Sequence, residues 1–201
     1  MRRLLWALAA VATIVLLGGA FLFSGSEVTC AEIGTEDGPG LRCAFEIGTE
    51  PEEVWRAFTG TGEPRPYYFD AVLQADLRPG GRWRFVTDDL ERLLAGGEVL
   101  AAEPPRRFVH TFAAADLDDP ASRIAVVLEP TPGGTRVELV HDRFAGETAT
   151  WRRFRRAHPL ALSALKAYLE TGRLSLRTRL YTALFEPGMK LFTVRAEPWG
   201  N

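Results

Sequence analysis

The stretch Leu77-Arg78-Pro79-Gly80-Gly81-Arg82-Trp83-Arg84-Phe85 decides the fold, because it places a tight turn between two strands. Proline fixes φ and glycine tolerates positive φ, so the Pro-Gly-Gly segment predicts the turn. The preceding residues 71–77 have the composition of a strand, and the residues after the turn alternate between basic and aromatic. Trp83 and Phe85 therefore share one face of a hairpin. We expect a bent antiparallel sheet with an aromatic concave face.

Further strand patterns surround this hairpin, with turns about every ten residues, which is typical of an antiparallel meander. The strands are predicted over residues 41–47, 97–102, 107–112, 123–129 and 135–142. Alternation within them predicts an inner face that continues the one formed by Trp83 and Phe85. Its members are Phe108, His110, Phe112, Ile124, Val126, Leu128, Val137, Leu139 and His141.

Two segments have a helical period instead. A short helix is predicted after Thr49, which is a suitable N-cap, and Trp55 lies on its apolar face. A second, long amphipathic helix is predicted from about Thr148 to Thr171, where Pro159 predicts a kink or the start of another helix. A long helix that follows a meander can lie across the open sheet and close its concave face. The predicted class is therefore α+β.

The N-terminus has the pattern of a membrane anchor. Arg2-Arg3 precede an uncharged segment from Leu4 to Phe23, about 20 residues, which spans about 30 Å as a helix and so matches the hydrocarbon core. Acidic residues follow from Glu27 onward. Basic residues before the segment and acidic residues after it predict an N-terminus inside and a domain outside the cytoplasm. We expect residues 1–25 to be a single-pass anchor; the alternative is an export signal that is cleaved.

The two cysteines, Cys30 and Cys43, flank a turn-rich loop. If the flanking segments pair as a hairpin, the cysteines lie nearly opposite each other, and outside the cytoplasm a disulfide between them is expected. The alternative is a pair of buried free thiols.

Charge and motif content exclude several classes of function. The 201 residues carry a net charge of -2, whereas a nucleic-acid-binding domain shows a basic excess. The sequence contains no phosphate-binding loop, nucleophile elbow or zinc motif. Its three histidines are too scattered to predict a metal site. We therefore expect no metal, no cofactor, no nucleic-acid partner and no assigned catalytic residue.

Four segments in this order resemble a known family. Glu53-Val54-Trp55, Asp76 to Trp83, Gly97 to Leu100, and Leu162 to Gly172 are similar to the SRPBCC superfamily, in the branch named after the activator of heat-shock-protein ATPase. The resemblance covers roughly Cys43 to Gly172. It implies a helix-grip fold over residues 26–172, in which a curved antiparallel sheet wraps around a long C-terminal helix and a hydrophobic cavity lies between them. The anchor, the cysteine pair, the extension after Gly172, and His158 in place of a common tryptophan depart from the family pattern.

An apolar concave lining with few polar groups is the usual form of a small-molecule site. The expected ligand is a hydrophobic small molecule or lipid, and we expect His110 to orient its polar head group. Two alternatives stay open: the lining fills the core and the domain is a protein-interaction module, or it is a cyclase-like enzyme that uses His110 with Tyr67 or Glu98. The sequence identifies no protein partner. The expected ligand-binding residues are Trp55, Tyr68, Trp83, Phe85, Phe108, His110, Phe112, Val126, Leu139, His141, Leu165 and Tyr168.

The extension at residues 173–201 has basic and apolar residues at roughly helical spacing up to Pro187-Gly188. A basic amphipathic helix next to an anchored domain can lie on anionic lipid. It can also pack back on the domain as a lid, and packing is the expectation.

Overall fold

The structure is a computed structural model that describes residues 27–185, 188 and 191–200. The anchor predicted at residues 4–23 lies outside the described residues. Among the described residues, no helix combines the length and the apolar character needed to cross a membrane.

Within the described residues, ten antiparallel strands form one sheet, in the order β1-β2-β9-β8-β7-β6-β5-β4-β3, and β10 pairs with β6. Three α-helices and a short 3-10 helix accompany them in this part of the chain. The strands are β1 Cys30–Thr35, β2 Gly38–Ile47, β3 Pro64–Arg65, β4 Ala71–Ala75, β5 Arg82–Val86, β6 Arg92–Glu103, β7 Arg107–Ala114, β8 Ser122–Thr131, β9 Gly134–Asp142 and β10 Val194–Arg195. The helices are α1 Pro51–Thr59, the 3-10 helix Pro66–Tyr68, α2 Ala149–Thr171 and α3 Leu176–Phe185.

The predicted hairpin is confirmed. Ala75 pairs with Trp83, and the turn is closed by a hydrogen bond from the Gly81 amide to the Arg78 carbonyl at 2.8 Å. Gly81 cannot carry a side chain here, because a Cβ would lie 2.2 Å from the Asp76 carbonyl oxygen. The glycine that predicted the turn from the sequence is thus also required by the close approach of the backbone in the structure.

The sheet is bent at two irregular positions. Its register shifts between Phe85 and Val86 against β6, and between Val99 and Ala101 against β7. An extra residue in one strand increases the local bend and twist, so these positions curve the sheet towards α2.

The long helix α2 lies across the concave face. Its N-cap is Thr148, whose Oγ1 accepts a hydrogen bond from the Trp151 amide at 3.2 Å, and Gly172 ends it with a φ of 68°. Pro159 does not start another helix, since one helix of 23 residues runs through that position. Apolar side chains from the inner faces of the sheet and from α2 form a single core.

The predicted N-cap of α1 is also wrong. The cap residue is Glu50, without a side-chain hydrogen bond, and Pro51 is the first helical residue. Thr49 instead belongs to the junction with β9, because its carbonyl accepts a hydrogen bond from Thr135 Oγ1 at 2.6 Å.

The first hairpin of the described chain carries the cysteine pair. Cys30 lies directly opposite Cys43 in the β1–β2 register, and the two are joined by a disulfide. The bond links β1, at the sheet edge, to β2, which pairs with β9 in the interior of the sheet.

Candidate ligand-binding site

Two adjoining cavities lie beneath α2. The inner chamber, of about 130 Å³, is enclosed by the concave face of the sheet, the α1 end and α2. The outer chamber, of about 480 Å³, lies between α2, α3 and the β6–β7 strands. Both chambers are lined by the same six residues where they adjoin: Tyr67, Tyr68, Phe112, Phe154, Ala157 and Ala161.

The structure places most of the predicted site residues on the inner chamber. Trp83, which is only 2 % exposed, and Phe85 contact each other edge to face on its wall, with ring centroids 5.6 Å apart. These side chains line the space without filling it. The predicted residues on this wall are Tyr68, Trp83, Phe85, Phe108, His110, Phe112, Val126, Leu139 and Leu165.

Three predicted residues lie outside both chambers, in a layer behind the wall. Trp55 packs edge-on against Phe108 at 6.2 Å, because α1 approaches the sheet from its end. Tyr168 packs against Tyr67 at 5.6 Å, since it lies one turn too far along α2 to reach the inner chamber. His141 lies behind Phe112 at 5.4 Å and is completely buried. None of these three residues lines a chamber, which corrects the expectation that each of them contacts the ligand directly.

Several lining residues were missed by the sequence reasoning. Phe154 and His158 line the inner chamber from α2, and helical spacing back from Leu165 could have identified them. Arg65 also lines this chamber, and no sequence pattern marks a buried arginine. One wall of the outer chamber is formed by the extension, whose position relative to α2 is not encoded in a local pattern.

A single backbone carbonyl orients two aromatic side chains on the inner wall. Thr111 O accepts a hydrogen bond from Trp83 Nε1 at 2.9 Å and another from His110 Nδ1 at 2.9 Å. A carbonyl oxygen only accepts, so Nδ1 of His110 carries the proton, and Nε2 of the neutral ring is a hydrogen-bond acceptor. Burial lowers the pKa of His110 to about 4, opposed by the bond to Thr111 O. The ring is therefore neutral at pH 7.

Ser122, His141 and His158 form a buried hydrogen-bonded chain, of which His158 lines the inner chamber while Ser122 and His141 lie behind its wall. Ser122 Oγ lies 2.7 Å from His141 Nε2, and His141 Nδ1 lies 2.8 Å from His158 Nε2. Ser122 Oγ also donates to the Phe112 carbonyl at 3.2 Å. Burial lowers the pKa of His158 to about 4, and burial together with the neighbouring histidines lowers the pKa of His141. This chain is polar, neutral and fully enclosed.

Tyr68 stands where the two chambers adjoin. Its ring packs on Phe85 at 4.8 Å. Burial raises the pKa of Tyr68 to about 12, and the positive charge of Arg153 opposes that shift. The hydroxyl is therefore protonated at pH 7 and can donate a hydrogen bond.

Arg65 is the buried cation of the inner chamber. It is 5 % exposed, and its Nε donates to the Ala57 carbonyl at 3.1 Å. Its Nη2 donates to the Gly60 carbonyl. Burial lowers the pKa of Arg65, with Tyr67 opposing. The guanidinium carbon lies 5.3 Å from the centroid of the Phe85 ring.

The described part of the extension forms one wall of the outer chamber. Tyr181 of α3 packs on Phe69 at 5.8 Å, and Arg84 Nη1 donates to the Glu197 carbonyl at 2.6 Å. Arg92 Nη2 donates to the Thr193 carbonyl at 2.7 Å. Beyond Phe185, the chain thus returns to the outside of β5 and β6.

No cluster of three or more histidine, cysteine, aspartate or glutamate side chains that could hold a metal ion occurs in the part of the chain that the structure describes. The side chains that line the chambers are mostly apolar, with a few hydroxyl, imidazole and guanidinium groups and the carboxylate of Glu27 at the outer chamber. Such an arrangement can hold an apolar molecule and orient it by a few polar contacts.

The family described as Activator of Hsp90 ATPase homolog 1-like protein matches this chain over residues 48–170. The chain belongs to this family. The expected SRPBCC classification is thereby confirmed, and the α+β helix-grip architecture agrees with it. The match ends within α2 and leaves the cysteine pair and the extension outside the family segment.

Solved structures of similar fold come from several bacteria. CalU16 from Micromonospora echinospora is 22% identical, with a TM-score of 0.55 over 84% of this chain and 99% of that one. Protein MLL2253 from Mesorhizobium loti is 24% identical, with a TM-score of 0.52 over 67% and 99% of the two chains. The Aha1 dimer from Colwellia psychrerythraea is 17% identical, with a TM-score of 0.55 over 67% and 98%. At these identities the likeness concerns the fold alone. A comparison with curated proteins found no match.

Proposed function

We propose that this member of the Activator of Hsp90 ATPase homolog 1-like family binds a hydrophobic small molecule or lipid in the two chambers, as a domain anchored to a membrane and facing away from the cytoplasm. The observation that carries the proposal is open apolar space between the sheet and α2. Had Trp83, Phe85 and Phe112 filled the concavity, a protein-interaction module would have been the better reading.

The dimensions of the chambers support a ligand of moderate size. The outer chamber has about 480 Å³, which lies within the range of ordinary small-molecule sites. The inner chamber adds a narrow space of about 130 Å³ beneath Phe112 and Phe154. An elongated molecule that occupies both would pass between the six side chains that line both chambers.

The location is supported by the sequence. The uncharged segment from Leu4 to Phe23, with Arg2-Arg3 before it, has the length and flanking charge of an anchor. The disulfide between Cys30 and Cys43 is compatible with an oxidising compartment.

Alkaline extraction of membranes tests the anchor. Recovery of the full-length chain in the soluble fraction would contradict an anchor. A mature chain whose mass lacks residues 1–25 would indicate a cleaved export signal.

Photochemical labelling tests ligand binding. The full-length chain is placed in lipid nanodiscs without detergent, and dodecanol bearing a diazirine near its middle is added and irradiated. We expect one covalent adduct per chain, on residues that line the chambers. Ala161 lines both chambers, so Ala161→Trp fills the space and abolishes the adduct.

The matched control is Ala121→Trp, which adds the same side chain in an exposed loop and leaves labelling unchanged. Labelling spread over the surface, or equal labelling of both variants, would contradict binding in the chambers. In that case the domain is better described as a protein-interaction module.

A further inference from the structure

Arg65 differs from Arg153, an ion-paired arginine of the outer chamber, in what surrounds its charge. Arg153, on the outer chamber, makes two hydrogen bonds of 2.7 Å to the carboxylate of Asp116. Arg65 is more deeply buried and makes no ion pair within 4.0 Å among the described residues; its hydrogen bonds go to the carbonyls of Ala57 and Gly60. The guanidinium is therefore hydrogen-bonded to backbone carbonyls at the end of α1 and has no carboxylate partner there, although Tyr67 and Glu63 also favour its charged form.

One nitrogen of this guanidinium has no partner. Within the described residues, Nη1 of Arg65 is the one buried side-chain nitrogen or oxygen that lacks a hydrogen bond. Buried polar groups are almost always paired in folded proteins, and an exception calls for an explanation such as a ligand. The orphan is on a residue that lines the inner chamber.

We infer that the hydrophobic ligand carries a carboxylate, which binds Arg65 in the inner chamber while its apolar chain extends into the outer chamber. This inference rests on the proposed function. A carboxylate supplies both features that Arg65 lacks, a negative charge and an acceptor for Nη1. Charge-assisted bonds between guanidinium and carboxylate are stronger than bonds between neutral groups.

The neighbouring groups favour this assignment over a head group at His110. A carboxylate only accepts hydrogen bonds, and Nε2 of neutral His110 is also an acceptor, so the two repel. The Arg65 guanidinium carbon lies 5.3 Å from the centroid of the Phe85 ring, and the Tyr68 ring packs on the same ring at 4.8 Å. The cation therefore lies on the aromatic part of the wall.

The test compares two probes that differ only at the head group. Photoreactive dodecanoic acid and photoreactive dodecanol, with the diazirine at the same carbon, are titrated against the full-length chain in nanodiscs. We expect the acid to label at a concentration about tenfold or more below that of the alcohol, because only the acid pairs with Arg65. In Arg65→Met the preference for the acid should be lost, so that the two probes label at similar concentrations.

Arg156→Met tests the rival position of the head group, because Arg156 is an exposed cation at the outer chamber. It should keep the preference for the acid. A preference lost in Arg156→Met and kept in Arg65→Met would place the head group at the outer mouth and overturn the inference. Equal labelling by both probes in the native chain would overturn it as well, and would leave the proposed function standing. Labelling by neither probe would refute the proposed function itself.

A measurement on the native chain covers the case in which Arg65→Met does not fold. The carboxyl carbon of dodecanoic acid labelled with ¹³C is titrated by NMR in the presence of the protein. We expect the bound acid to stay ionised at pH values at which the same acid in the nanodisc lipid is protonated, because a neighbouring cation lowers a carboxyl pKa. A bound acid that titrates together with the lipid-dissolved acid would contradict pairing with Arg65.

Discussion

His141 Nδ1 and His158 Nε2 lie 2.8 Å apart inside the fold, between β9 and α2. A hydrogen bond at this distance requires a proton on one of the two nitrogens and a lone pair on the other. Ser122 occupies the opposite side of His141, so its ring is hydrogen-bonded at both nitrogens. The hydrogen bond between the two rings forms when both rings are neutral. It is lost when both become cations, because neither nitrogen then has a lone pair to accept the bond.

The first prediction concerns the stability of the protein in mild acid. Burial lowers the pKa of His110 and of His158 from 6.5 to about 4. The unfolded chain therefore binds more protons than the folded chain between these values, and the free energy of unfolding falls as the pH falls from 6.5 to 4. Each of the two rings contributes a loss of roughly 3 kcal/mol. Urea unfolding at pH 7.5, 6, 5 and 4.5 measures it.

His158→Gln provides the comparison, since an amide can still donate to His141 Nδ1 but does not titrate. Its unfolding free energy should depend less steeply on pH than that of the native chain. Carboxylates with a lowered pKa, such as Asp119 and Glu170, begin to lose their stabilising contribution near their unfolded values of 3.8 and 4.5, so the histidine effect is compared between pH 7.5 and 5. A native chain whose stability is flat from pH 7.5 to 4.5 would contradict the burial of neutral histidines.

The sheet and its inner face could be predicted because they depend on local patterns. The turn after Leu77 requires proline and glycine, and alternation assigns Trp83, Phe108 and His110 to one side whatever the rest of the chain does. The cysteine register follows from the same hairpin logic. Family resemblance then added the position of the long helix relative to the sheet.

Arg65 and His158 could not be predicted as members of the site, because their positions depend on distant segments. Arg65 is buried only since the end of α1 offers carbonyls at Ala57 and Gly60. His158 meets His141 only when α2 lies across β9. The periodicity of apolar residues identifies the buried face of a helix or strand. It does not predict which polar group of another element that face contacts.

The second prediction concerns Gly97, which faces the carbonyl that orients Trp83 and His110. A Cβ at this position would lie 2.3 Å from the Thr111 carbonyl oxygen, a backbone atom that cannot move independently. We expect Gly97→Ala to lower the free energy of unfolding by about 1–3 kcal/mol, as other overpacked sites do. Chemical denaturation measures the loss.

Gly34→Ala is the control for this substitution. Gly34 also lies in a strand, and no heavy atom would lie within 4 Å of its Cβ. Its unfolding free energy should change by less than about 1 kcal/mol. Equal effects of the two substitutions would indicate that loss of glycine, rather than contact with Thr111, determines the result.

The third prediction concerns the disulfide between Cys30 and Cys43. A bond across a loop of this size restricts the unfolded chain and contributes about 3 kcal/mol in the chain-entropy model. We expect a reductant to lower the urea midpoint of the native chain. The double variant Cys30→Ala, Cys43→Ala should have the lower midpoint from the start and show no response to the reductant. If the reductant also lowered the urea midpoint of the double variant, the effect on the native chain would not come from this disulfide.

The fourth prediction concerns the extension. Arg92 Nε and Nη2 hold Thr193 at 2.5 and 2.7 Å, and β10 pairs with β6 beside them. Because these contacts hold the chain beyond α3 on the sheet, Arg92→Gln should raise hydrogen exchange at residues 193–197. Arg106→Gln, at an exposed position of the β6–β7 turn, should not raise this exchange.

Removal of residues 173–201 should also lower the free energy of unfolding, since it uncovers Phe69 and the outer chamber. An equally stable truncated chain with unchanged exchange in β6 would contradict packing and would favour the alternative that the extension lies on lipid.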